Sequence, residues 1–397
     1  MKRGTLIVTF VWFFLLIGGL YSYAADVRGV TDTTIRVGVI ADTTSVAAFV
    51  GKSYLEAARN YYHHINDNGG IHGRKIKVYH EDSQYKIPKA IAAFKKLVTM
   101  DKVFYLHSFG TPEVTALLPY FKRKKVVTMP GSQSSTLVSP VQRHLFMPTA
   151  TYKDEMYVIV DFLHDVLKIK NPRIAVVYAD NAFGRNGLIN AKERCKAYGF
   201  KVMDEEPAKW GAVDYSSQIL RMKKAKIEYV IINMIANTTA SCLKGAKRFD
   251  FNPQFIGTSN SVELTTVKHA GVATRGVIGT AHFPPWDSNA PGMVKLREIT
   301  EKYAPGKGGR GVQYVVHWVI SMAFAKGMEM AGRNLNTESL IEGLERIKDF
   351  NTGGLTAPLT FGPNRHQGSY SVSLYMPNVE QKTLFPISGW RETKKLR

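Results

Sequence analysis

The hydrophobic and polar positions along the chain alternate between two periods. "TIRVGVIA" (34–41) is a short apolar, β-branched run with the length of a buried strand. In "FVGKSYLEAARNYYHHINDNGG" (49–70) the apolar residues recur at helical spacing, with Leu55, Ala58, Tyr62 and Ile65 inward. The "DNGG" end supplies the left-handed residue a helix stop needs. "RKIKVYHED" reads as a strand, "IPKAIAAFKKLVTM" as a helix and "VFYL" as a strand. Thr111-Pro112 then opens a helix, with a hydroxyl N-cap and proline at the first helical position. "KVVTMPG" is the next strand, and near residue 150 the pattern restarts. "RIAVVYAD", "KVMDEEP", "EYVIINMI" and "QFIGTSN" read as strands separated by helical stretches. From about 311, "VQYVVHWVISMAFAKGMEMAG" is a long apolar helix, and the tail is rich in turns and strands. Such alternation predicts an α/β protein of two doubly wound parallel-sheet lobes. Ligands of such sheets sit at the carboxyl ends of the strands.

The first residues change the picture. "MKRG" is a positive start, "LIVTFVWFFLLIGGL" an apolar core and "YSYAAD" a small-residue exit. Residues 1–24 therefore read as a signal peptide, with Ser22 and Ala24 suited to a cut after Ala24. The alternative is an uncleaved anchor, but a spanning helix wants about 20 apolar residues. No cysteine stands near the cut for a lipid anchor, so the expected location is the periplasm. The two cysteines, Cys195 and Cys242, are too few for a disulfide scaffold. If the second sheet runs in the doubly wound order 2-1-3-4-5, their helices lie on opposite faces and cannot bridge. Lys and Arg outnumber Asp and Glu, 53 to 32, for a net charge of +21. The excess is dispersed in short pieces ("KRKK", "KKAK", "RETKKLR"), and export argues against a nucleic-acid partner. It reads as a solvated surface with mild attraction for anions.

With these segments in view, the chain resembles the exported solute-binding proteins of branched-chain-amino-acid-type ABC importers, the type I periplasmic binding proteins. The resemblance rests on "IRVGVIADTTSVAAFVGKSYLEAARNYYHHINDNGGIHGRKIKV", "SFGTPEVTALLP", "VVYADNAFGRNG", "VDYSSQILRMKKAKIEYVIIN" and "GLTAPLTFGPNRHQG", in that order. It implies two lobes joined by three crossovers, near 148–152, 279–286 and 350–356. Lobe 1 is then 25–150 plus 282–352, and lobe 2 is 151–281 plus 353–397. It also implies no catalysis and no cofactor: a monomer closes on a small molecule and presents it to the permease transmembrane subunits of an ABC importer. A ligand sensor of the same fold, acting with a membrane receptor or regulator, is the alternative.

In the family, the loops equivalent to "SFGTP" and "PGSQSS" hold the ligand's carboxylate. The residue chemistry agrees. Ser108, Thr111, Ser132, Ser134 and Ser135 offer hydroxyls beside helix-opening N–H groups. Gly110 and Gly131 allow close backbone approach. Glu113, in the first turn, could occupy the helix dipole and repel an anion. From the second lobe the matching loops offer Phe183, where many relatives place a tyrosine, with Asn237 and Asn260. Relatives that bind amino acids supply an acidic residue from the region of "TSNS"; the nearest here is Glu263, three residues beyond Asn260. That departure favours an organic acid, aromatic in one reading, over leucine, isoleucine or valine.

Other chemistries lack their motifs. His63, His64, His72 and His80 show no metal-ligand spacing. "GSQSS" is not a nucleophile elbow, and "GKGGRG" (306–311) reads as a surface loop without phosphate-loop spacing. The mature protein is expected to begin at Ala25 in the soluble periplasmic fraction. N-terminal sequencing that finds Met1 intact on membrane-bound protein would overturn this.

Overall fold

In the computed structural model, residues 27–209, 211–306 and 308–394 are described; the expected signal peptide and its cut lie outside them. β1 (Thr34–Ala41) shows why a parallel sheet forms: Ile35, Val37 and Val39 enter one core while Ile40 enters another. A strand buried on both faces needs helices on both sides. Accordingly β1, α1 (Ala48–Asp67), β2 (Lys75–Asp82), α2 (Ile87–Thr99), β3 (Tyr105–Ser108), α3 (Thr111–Lys124) and β4 (Val127–Pro130) alternate along the chain. Their sheet is parallel, in the order β2-β1-β3-β4. α1 covers one face, while α2 and α3 cover the other. Gly69 and Gly70, both at positive φ, end the first helical stretch as expected. Ala58 and Tyr62 are buried, but Tyr54 and Ala57 face inward in place of Leu55; Leu55 and Ile65 are only partly covered.

The second half repeats the plan with α4 (Tyr152–Asp161), β5 (Ile174–Ala179), α5 (Ala182–Ala197), β6 (Val202–Ala208), α6 (Ser216–Lys224), β7 (Tyr229–Asn233), α7 (Ala236–Arg248), β8 (Gln254–Gly257), α8 (Leu264–Ala270) and β9 (Ile278–Ala281). The parallel strands stand in the order β6-β5-β7-β8-β9, the expected doubly wound arrangement. α9 (Pro291–Tyr303), α10 (Val312–Ala331) and α11 (Thr337–Glu345) return to the first core. α10 is apolar nearly all round because it is buried against α1 and α11. β10 (Ser373–Asn378) and β11 (Thr383–Pro386) then extend the second sheet as an antiparallel ribbon, which the parallel reading does not include. Among the described residues no helix is long and apolar enough to cross a membrane.

The chain passes from the first pair of cores to the second between Met147 and Ala150, and back between Ile278 and Phe283. The last passage corrects the expected 350–356. Leu355, Leu359 and Phe361 still pack in the first core, and Val372 is in the second. Buried polar bonds tie these passages together. Asp154 Oδ2 accepts from the Thr151 hydroxyl, the Thr151 N–H and Gln367 Nε2, each at 2.7 Å. Glu155, fully buried, accepts from the Ser259 N–H (2.6 Å), the Ser259 hydroxyl (2.9 Å), the Thr280 hydroxyl (2.5 Å) and His282 Nε2 (2.6 Å). Burial opposes ionisation of Glu155, yet His282 and these bonds outweigh it and hold the carboxyl below its usual range.

Cys195 lies in the core under α5 and Cys242 in the core under α7, on opposite faces of the second sheet. Both are free, and burial pushes each thiol up to about 12. Neither is then a nucleophile at neutral pH. A thiol reagent should label neither cysteine in the native protein and both after denaturation. Reducing and non-reducing gels should show the same mobility. Native labelling of either residue would show that its helix does not pack as described.

Candidate functional site

The carboxyl ends of the two sheets face a cavity of about 50 Å³. β3 brings the loop Phe109–Gly110 to it, and α3 begins there at Thr111. Gly110 is the N-cap in extended conformation, so Thr111 is the first helical residue and caps nothing. Its hydroxyl instead bonds that of Ser132 at 2.7 Å. The loop after β4 is pinned alongside: the N–H groups of Gly131 and Ser132 donate to the carbonyls of Ser108 and Phe109 (2.9 and 3.0 Å). From the second half, α4 contributes Tyr152, the start of α5 contributes Phe183, and Ile235 and Asn260 complete the wall with Gln313 of α10.

Five of the nine expected residues meet here: Gly110, Thr111, Ser132, Phe183 and Asn260. The other four do not line the cavity. β3 runs two residues past "VFYL", which turns Ser108 into the sheet, where its hydroxyl bonds Thr128 at 2.9 Å. The Ser134 hydroxyl is engaged with Thr136 (2.9 Å), and Ser135 starts a short 3₁₀ turn. Asn237 is the second residue of α7, and Ile235, two positions before it, reaches the cavity in its place. Glu263, the nearest acidic residue in the sequence, is the N-cap of α8 and does not line this cavity. Among the described residues no group of side chains could hold a metal ion. The "GKGGRG" segment is less superficial than expected, because Arg310 is buried and pairs with Glu56 at 2.8 Å.

What the sequence reading missed is aromatic. Tyr54, Tyr85, Phe109 and Tyr152 line the cavity with Phe183. Phe109 packs edge-on against Tyr54 (5.2 Å between centroids) and Tyr85 (5.6 Å), and Tyr152 packs edge-on against Phe183 (5.0 Å). The glycines explain this. A Cβ on Gly110 would lie 2.2 Å from the Tyr85 ring, and one on Gly131 2.1 Å from Tyr54. The close approach that glycine permits is used by tyrosine rings. Burial pushes the Tyr152 phenol up to about 12, against the pull of the Gln133 backbone and of the Thr111 and Ser132 hydroxyls. Its side chain lines the cavity together with the two hydroxyls expected to seat an anion. The signal for Tyr54 lies in the helical pattern, one position from Leu55, but periodicity alone marks it as core. No charged side chain lines the cavity among the described residues.

A sequence model of the family described as "Periplasmic binding protein" matches residues 34–382. An amino acid binding protein of Pseudomonas aeruginosa is 23% identical over 251 residues, 62% of this chain and 66% of that protein. A leucine-, isoleucine-, valine-, threonine- and alanine-binding protein of the same organism is 23% identical over 357 residues, 89% of this chain and 91% of the relative. The solved structure of a fatty acid ABC transporter substrate-binding protein from Thermomonospora curvata superposes with a TM-score of 0.85. That match is at 24% identity and covers 93% of this chain and 95% of the other.

Glu113 lies behind the cavity, fully buried in the first turn of α3. Burial pushes its carboxyl up to about 7, against the pull of Ser83 and the Gly110 N–H and with the push of Asp42 and Asp82. Between its ordinary value and about 7 the folded protein keeps a proton that the unfolded chain has released. Stability therefore falls as pH rises through that window. Chemical denaturation should show roughly 2–3 kcal/mol more loss between pH 5 and pH 8 in the wild type than in Glu113→Gln, which lacks the titrating group. Equal pH dependence in the two proteins would refute it.

Proposed function

We propose that this chain, which belongs to the periplasmic binding protein family, is the extracytoplasmic binding component of an ABC importer whose cleft takes a small organic acid with an aromatic or apolar body. A relative named as binding leucine, isoleucine, valine, threonine and alanine, and a structural neighbour named as a fatty acid ABC transporter substrate-binding protein, support a binding role. One observation supports the ligand class: aromatic walls from both halves enclose a cleft with no charged side chain in its described lining. An α-amino acid would bury its ammonium without a partner, at a cost of several kcal/mol. A carboxylate loses less. The Thr111 and Ser132 hydroxyls sit at the opening of α3, and charge-assisted bonds from hydroxyls are the stronger kind. The net charge of +21 favours approach of anions.

Binding on this reading seats the acid on the Thr111 and Ser132 hydroxyls between walls drawn from both halves, so the halves must part to admit the acid and close on it. The hinge is the set of three chain passages, and the closed molecule is what permease subunits would receive in the periplasm. Calorimetry with benzoate, phenylacetate and longer phenylalkanoates, against leucine, isoleucine and valine, tests the ligand class. The acids should bind. Thr111→Ala and Ser132→Ala should each weaken them by about 1.5–3 kcal/mol. Tight binding of a branched-chain amino acid with every organic acid silent would sink the reading.

A further inference from the structure

A second cavity, of about 40 Å³, draws on two of the same chain segments as the first. Asn260 and Gln313 line the first cavity, and their chain neighbours Ser259 and Val312 line the second. The side-chain amide of Gln313 donates to Asn260 Oδ1, joining α10 to the loop after β8. One hydrogen bond between two neutral side chains thus joins the two segments that contribute to both cavities. Such a bond contributes little net stability when its partners can be satisfied elsewhere.

The second chamber is mostly apolar, with Phe283, Trp286, Val315 and Leu384 in its walls. Two polar side chains interrupt them. Glu263 is 6% exposed; its carboxyl caps α8 and is drawn on by Thr265 and the Val312 N–H, yet Oε2 has no partner within hydrogen-bond distance. Arg310 is 8% exposed; its terminal nitrogens bond Glu56, Gly308 and Ala304, but its Nε has no partner. Gly311 explains the position of the carboxyl, since a Cβ there would lie 2.5 Å from Glu263 Oε2. Buried polar atoms in folded proteins are nearly always paired, and each exception needs a reason. Here an acceptor and a donor are left open in one small chamber beside the ligand cleft.

We propose that this chamber is a distal subsite of the cleft, opened when the Asn260–Gln313 bond gives way, which takes the far end of an elongated acid carrying an uncharged hydroxyl. A hydroxyl can donate to a carboxyl oxygen and accept from a guanidinium N–H, which are the two functions left open. A cationic tip is disfavoured, because Arg310 already places a positive charge in the walls. An anionic tip would face Glu263. Discrimination by such a site is strong, because a substrate lacking the hydroxyl leaves the buried groups unpaired. The inference rests on the organic-acid reading of the first cavity and adds a requirement on the other end of the ligand.

The test is calorimetry with phenylalkanoates of increasing chain length, each paired with its para-hydroxy counterpart. At one length the hydroxyl should tighten binding at least about tenfold in the wild type, the worth of one well-made polar contact. Glu263→Gln should reduce that gain, and Ala281→Leu, which fills the chamber from β9, should abolish it; the affinity for short acids measures whether each variant is folded. If acids bind but no length gains from the hydroxyl, or if the gain survives Ala281→Leu, the subsite falls and the organic-acid reading stands. If no acid binds at all, both fall together.

Discussion

The carboxylate of Glu155 is the point on which the two-lobed arrangement depends. It is fully buried, an unfavourable place for a charge unless hydrogen bonds replace the lost water. Four donors do so, from the backbone and hydroxyl of Ser259, from Thr280 and from His282. They come from the loop after β8, from β9 and from the chain just beyond β9, while Glu155 itself stands in the first turn of α4. The first and second passages between the cores are therefore bound to one carboxylate. Asp154, the residue before it, binds Gln367 of the third. Removing one partner of such a network leaves a buried polar group unsatisfied, which costs more than the bond contributes. This fixes the register in which the three passages cross between the cores.

The cleft is built on the opposite principle. Its surfaces are held by packing of rings and by the room that Gly110 and Gly131 leave for Tyr85 and Tyr54. Thr111 and Ser132 form a pair of hydroxyls that can exchange partners, since each donates and accepts. Asn260 and Gln313 behave likewise. A charged network would resist opening; neutral hydroxyls and amides can trade one partner for another at small net cost. Charged groups thus hold the passages between the halves, while the described lining of the first cavity is neutral.

How much of this is legible in the sequence follows from the range of each interaction. Strands such as Thr34–Ala41, helices such as Val312–Ala331 and the order of the second sheet depend on periodicity and on the handedness of crossovers, which short stretches of chain encode. Five expected cleft residues follow from the same rule, because strand ends define where loops gather. Ser108 falls outside the cleft because β3 extends by two residues through pairing with β4, a long-range effect. Ser134, Ser135 and Asn237 fall outside it because local turn and helix geometry turns their side chains from the cavity. Tyr54, Tyr85 and Tyr152 are invisible as cleft residues in the sequence, since residues in a helix, a turn and a crossover meet only after both sheets have packed. The sequence by itself determined the elements, their alternation and the strand ends that face one another. Tertiary structure alone decided which side chains fill the space between them, because that depends on ring packing and buried hydrogen bonds between residues far apart in the chain.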